Sequence, residues 1–175
     1  VDLDRHSVAE ARRQGFAAMT VDELEASGER RFELLVMAHV IEHFGPHDLL
    51  AFLDGWLDRL ESGGLMLAAS PVLHPGFFLD FDHVKPYYPQ GIMDFFGEQA
   101  AQTQARSRHV LDLVDVRIKR GPHQVRMARS LLLKRGDAPL HLLNMLLLMA
   151  FAGTADLAGR TEGWLGLFRH DGLRE

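Results

Sequence analysis

The chain has 175 residues, 47% of them apolar and 25% charged, a balance that suits a soluble globular protein and excludes a disordered polymer or a collagen. It contains no cysteine, so disulfides, thiolate nucleophiles and sulfur-rich metal sites are ruled out, and a metal would have to use His, Asp or Glu. Lys and Arg total 19 against 24 Asp and Glu, a formal net charge of −5, which argues against a nucleic-acid partner.

The opening Val1-Asp2-Leu3-Asp4 has no methionine and reads as the middle of something. No basic start followed by an apolar run appears there, so the cytoplasm is the expected compartment. Ser7 and Glu10, in capping-box spacing, predict a helix over Val8 to Gln14 that Gly15 closes. Phe16 to Met19 is an apolar run of strand length. Thr20 and Glu23 repeat the capping spacing around Asp22. Phe32 to Met37 is almost continuously apolar, as expected of a strand buried on both faces of a parallel sheet. Pro46 to Glu61 carries Leu49, Leu50, Leu53, Trp56, Leu57 and Leu60 on one helical stripe, with Gly63-Gly64 expected to end the helix. Leu65 to Ser70 is a second buried strand, which makes strand, helix, strand a parallel crossover.

From Pro71 to Tyr88 the sequence is irregular and aromatic, and loops of that length are usually functional. Pro89 to Gln99 reads as a helix. Val110 to Ile118 and Gln124 to Leu133 have strand character about a tight turn at Gly121-Pro122, which predicts an antiparallel hairpin. Leu140 to Ala152 is the most apolar stretch, shorter than the roughly 20 residues needed to cross a bilayer. It reads as a helix that is buried or faces a partner, and a homodimer through it is one way to cover it.

Several strings then resemble one family. Ala38-His39-Val40-Ile41-Glu42-His43-Phe44 after the strand at 32–37 is similar to the loop behind the fourth strand of class I S-adenosylmethionine-dependent methyltransferases, where many bacterial members read "SHVLEH". Leu60-Glu61-Ser62-Gly63-Gly64-Leu65 resembles their "L-x-P-G-G" turn, and Asp82-His83-Val84-Lys85-Pro86-Tyr87 looks like the "THVRPY" string of one bacterial, type 11/23-like subgroup. The resemblance covers residues 1 to 135 and implies an α/β fold. It predicts a Rossmann-like, mostly parallel sheet with a C-terminal antiparallel hairpin, N-terminally truncated because the family's first strand and glycine-rich turn are absent. Residues 136 to 175 are expected to form a helical extension packing on that domain or on a partner.

The resemblance implies S-adenosylmethionine as cofactor and methyl transfer as activity, with the fragment itself expected to be inactive if the missing strand is essential. Asp2 matches the position that meets the cofactor ribose, and Asp22 the one that meets its adenine. Ala38 and His39 match the wall beside its methionine part. His43 and His83 fall where the methyl group should point and are the candidate general bases. His74, Asp80 and Tyr87 are the candidate contacts to the acceptor, a small molecule or a glycan hydroxyl. Two rival readings use the same residues. One is a non-catalytic, methyltransferase-like scaffold. The other is a zinc hydrolase through the literal H-x-x-E-H of His39 to His43. A zinc helix needs several helical turns there, whereas a strand runs in directly before and Gly45-Pro46 starts a new helix directly after, so no metal is expected.

Overall fold

The computed structural model describes residues 1–28, 31–74, 76–99, 106–125 and 138–174. Helix α1 spans Arg5–Arg13. Asp4, not Ser7, caps it, accepting from the backbone N–H groups of His6 and Ser7, so the helix begins three residues earlier than the capping-box reading placed it. A carboxylate serves this position at least as well as a hydroxyl. Helix α2 spans Val21–Ala26 and carries the expected reciprocal box between Thr20 and Glu23. The apolar run at 16–19 is not a strand. Beside it, Asp2 and Thr20 form one isolated parallel bridge outside the main sheet.

The sheet is built from β1 (Phe32–Ala38), β2 (Leu60–Pro71), β3 (His109–Pro122) and β4 (Gly159–Leu173). Its spatial order is β1-β2-β4-β3. β1 and β2 are parallel, joined by α3 (Pro46–Leu57), while β4 runs antiparallel to both β2 and β3. Helix α3 stops at Leu57, before the expected end, and Gly63-Gly64 lie within β2 instead. Gly63 takes φ +81°, and the register slips between the pairs Phe32–Leu60 and Leu34–Leu65, so the glycines form an irregularity in the ladder where β2 has extra residues.

The core lies on one face of this sheet. Leu35 and Met37 of β1, Met66 and Ala68 of β2, and Trp164 and Phe168 of β4 pack with Leu49, Leu53 and Leu57 of α3 and with Ile92 and Phe96 of α4 (Pro89–Phe96). Trp164 also donates its indole N–H to the Tyr87 carbonyl at 2.8 Å. Among the described residues, β1 is open on the opposite face: Leu34 is 51% and Val36 61% exposed. The expected burial of β1 on both faces is therefore corrected, because β1 is an edge strand and α3 and α4 pack on one side only.

The predicted hairpin at 110–133 is also corrected. β3 continues through Gly121-Pro122 without turning, and its partner is β4. The second arm has no strand at Gln124 or Val125, and its remaining residues, 126–133, lie outside the described ones. The helical expectation for 136–175 holds for α5 (Ala138–Gly153) and gives way at Gly159, where the chain enters the sheet as β4. Helix α5 is tied to Val125 by Asn144, whose side chain accepts from the backbone N–H at 2.8 Å and donates to the carbonyl at 3.1 Å. Leu142, Met145, Leu146 and Met149 on it are half-exposed or more. Among the described residues no helix is long and apolar enough to cross a membrane.

Candidate functional site

β1 ends abruptly. His39 donates its backbone N–H to Ala69 at 2.9 Å, one step past the strand, and then takes φ +57°. That left-handed conformation is uncommon for a residue with a Cβ and stores roughly 1–2 kcal/mol of strain. It turns the chain into a single 3₁₀ turn, Ile41–His43, after which Gly45-Pro46 starts α3. His39 and His43 therefore do not share a helical face, and the geometry of a zinc-peptidase helix is absent here.

Glu42, within the turn, has no exposed surface at all. Its carboxylate lies 3.2 Å from His39 Nδ1 and accepts from the Ser70 hydroxyl at 3.2 Å. Ser70, at the end of β2, is itself buried. The carboxylate thus joins the ends of the two parallel strands, and His39 and Ser70 carry that link to the wall of a cleft.

The aromatic loop is strapped across the turn. Val84 and Lys85 both donate their backbone N–H groups to the Glu42 carbonyl, at 2.9 and 3.2 Å. His43 Nδ1 faces the Asp82 carbonyl at 3.1 Å, and His83 Nδ1 faces the Phe77 carbonyl at 2.8 Å. These contacts bring His43 and His83, forty residues apart in sequence, to a ring-centroid separation of 5.1 Å. Asp80 Oδ2 lies 3.7 Å from His83 Nε2.

A cleft of about 400 Å³ opens beyond the carboxyl ends of β1 and β2, lined by His39, Ser70, His74, Arg160, Glu162 and Trp164 among others. This is where open α/β sheets hold ligands, and the volume suits a small molecule. Arg160 pairs with Glu162 at 3.0 Å, so the cleft wall carries both charge signs.

Of the predicted site residues, His39 and His74 line the cleft, Ala38 precedes His39 as the last residue of β1, and His43, His83 and Asp80 cluster behind the Glu42 turn. Tyr87 is placed differently. It is buried, its hydroxyl donates to the Phe44 carbonyl at 3.0 Å, and desolvation, with Asp48 nearby, pushes its pKa up to about 12. A phenol held in the core with its hydroxyl engaged is a packing residue and offers nothing to an acceptor. Asp2 and Asp22 lie in the α1–α2 layer. Asp2 accepts from the Asp4 N–H at 2.8 Å, and Asp22 pairs with Arg5 at 3.5 Å on the surface. Sequence reasoning missed Ser70, Arg160 and Glu162. The last two sit on β4, and taking 136–175 as helical hid them. Glu42 was visible as the acid of H-x-x-E-H, but nothing in the string showed that it is fully buried.

No family model matches the sequence, and no curated protein does. Among solved structures, the crystal structure of a SAM dependent methyltransferase from Archaeoglobus fulgidus superimposes with a TM-score of 0.51 at 12% identity, over 96% of this chain and 73% of that one. The chain has a methyltransferase-like fold. At 12% identity the likeness concerns the backbone path and not the identity of any side chain in the cleft.

Proposed function

We propose that this chain is the methyl-transferring domain of an S-adenosylmethionine-dependent enzyme, acting in the cytoplasm on a hydroxyl of a sugar or glycan. The observation that carries the reading is the cleft at the ends of parallel strands, lined by the left-handed His39 and by Ser70, in a fold of this type. Transfer of a methyl group is an in-line displacement, so alignment and the exclusion of water supply most of the acceleration. Trp164 and Leu165 give the cleft an apolar wall. The bases expected from the sequence, His43 and His83, are not among the residues that line this cleft.

The positions assigned to the cofactor fall in two places. His39 lines the cleft and Ala38 adjoins it, whereas Asp2 and Asp22 are engaged by Asp4 and Arg5 in the α1–α2 layer. The four do not converge on one ligand, and this favours, as a second reading, a methyltransferase-like scaffold that binds without catalysis. Titration calorimetry of this chain with S-adenosylmethionine and with its demethylated product separates the two. Saturable binding of one molecule per chain, weakened at least tenfold by His39→Ala, is expected of the enzyme. Absence of heat at millimolar ligand would favour the scaffold.

A further inference from the structure

The group formed by the Glu42 turn and the aromatic loop has the composition of a metal site. One ligand atom from each of Glu42, His43 and His83 lies within 4.8 Å of the other two. The ligands of a tetrahedral ion with bonds of about 2.1 Å stand roughly 3.4 Å apart, so a small inward movement of side chains would close the set. We propose that Glu42, His43 and His83 bind one divalent transition-metal ion of the zinc, manganese or iron class.

Three features beyond proximity support this. First, the Nδ1 of each histidine faces a backbone carbonyl, Asp82 for His43 and Phe77 for His83. A carbonyl only accepts, so Nδ1 carries the proton and the neutral ring keeps its lone pair on Nε2. That second hydrogen bond is the one that ordinarily orients a metal-ligating histidine and fixes its tautomer. Secondly, Glu42 is a fully buried carboxylate whose recorded partners, among the described residues, are Ser70 and the half-exposed His39. No Lys or Arg pairs with it there. Burying a carboxylate costs least when a cation pairs with it, and an ion at this place would be that partner. Thirdly, the two segments are tied together by backbone: Val84 and Lys85 both bond the Glu42 carbonyl, so the ligands from the turn and from the loop are held in place without help from an ion.

Asp80 is the competing explanation. Its carboxylate lies 3.7 Å from His83 Nε2, and with a proton on that nitrogen the two form an ion pair and no metal is needed. With a metal on that nitrogen, Asp80 is placed to become a fourth ligand or to hold a metal-bound water. Two imidazoles and a carboxylate leave at least one coordination position open, and such donors select transition ions over magnesium or calcium. The binding of the ion does not depend on the methyl-transfer reading.

The test is calorimetry of the metal-stripped chain with Zn²⁺, Mn²⁺ and Mg²⁺, together with the visible spectrum of the Co²⁺ form. One Zn²⁺ per chain is expected, bound at least 100-fold more tightly than Mg²⁺. His43→Ala and His83→Ala should each weaken it 100-fold or more and abolish the Co²⁺ bands, while His47→Ala leaves both unchanged. Glu42→Gln should act like the histidine variants. Should it fail to fold, the two histidine variants, at more accessible positions, decide alone. No saturable 1:1 binding, or binding that survives the double variant H43A/H83A, overturns the site and leaves the Asp80 ion pair as the role of His83. Titrating the same samples with S-adenosylhomocysteine keeps the two questions apart. Nucleoside binding without metal binding defeats the ion alone, and metal binding without nucleoside binding upholds the ion and defeats the methyl-transfer reading.

Discussion

At the scale of single residues, the far end of the sheet holds a second histidine pair with a different character. His109 is buried, with Nε2 3.1 Å from Asp58 and Nδ1 3.0 Å from His170 Nε2. His170 Nδ1 in turn faces the Glu61 carbonyl at 3.0 Å. Burial, and then the neighbouring His170, lower the pKa of His109 below its ordinary 6.5, against the opposing pull of Asp58 and Asp54. Below pH 6.5 the unfolded chain therefore binds this proton before the folded one does, and stability in that window rises with pH. The contribution is fully present above 6.5 and is lost as pH falls toward the lowered value. The thermal midpoint should drop between pH 7.5 and 5.5, and His109→Gln should flatten that slope. An unchanged slope in the variant would show that the ring titrates as if free. Neither histidine was separable in the sequence from His6, His47, His123 or His141. His43 and His83 were singled out because they fall in loops at strand ends, whereas His109 and His170 meet only because β3 and β4 are neighbours.

At the scale of elements, what could be read from the sequence followed from how much of each element is apolar. β1 and α3 were legible because a continuous run and a clean helical stripe leave little choice. β4 was not. It contains Gly163, Gly166 and Gly172 and near its end runs through the polar Arg169-His170-Asp171, so its strand character depends on neighbours that the sequence does not display. Two of these glycines are there for contact: a Cβ on Gly163 would meet the Ser70 carbonyl at 3.0 Å, and one on Gly166 would meet the Phe168 ring at 2.8 Å. Where α5 turns into β4, a Cβ on Gly159 would lie 2.6 Å from the Phe151 ring. Gly159→Ala should therefore displace Phe151 and cost about 1–3 kcal/mol, the usual penalty of overpacking. Limited proteolysis should cut α5 faster in that variant. A cleavage rate equal to that of the parent would mean that Phe151 does not anchor the helix.

For the whole molecule, the asymmetry of the sheet decides where change is tolerated. Phe168 has no exposed surface and packs under α3 and α4, whereas Val36, across the sheet, stands 61% exposed and pairs with Leu67, itself opposite Leu167. Phe168→Ala should cost about 3–5 kcal/mol. Val36→Lys should stay within about 0.5 kcal/mol, as surface positions do. Denaturant titration of both variants checks the pair, and a loss above 2 kcal/mol at Val36 would mean that this face is covered. The order β1-β2-β4-β3 also has a kinetic side. Because β4, the latest of these four strands in chain order, is the one wedged between β2 and β3, both must wait with unpaired flanks while the residues after β3 follow it out of the ribosome. Sheet closure thus becomes a late, long-range event, of the kind that slows folding and invites strand exchange.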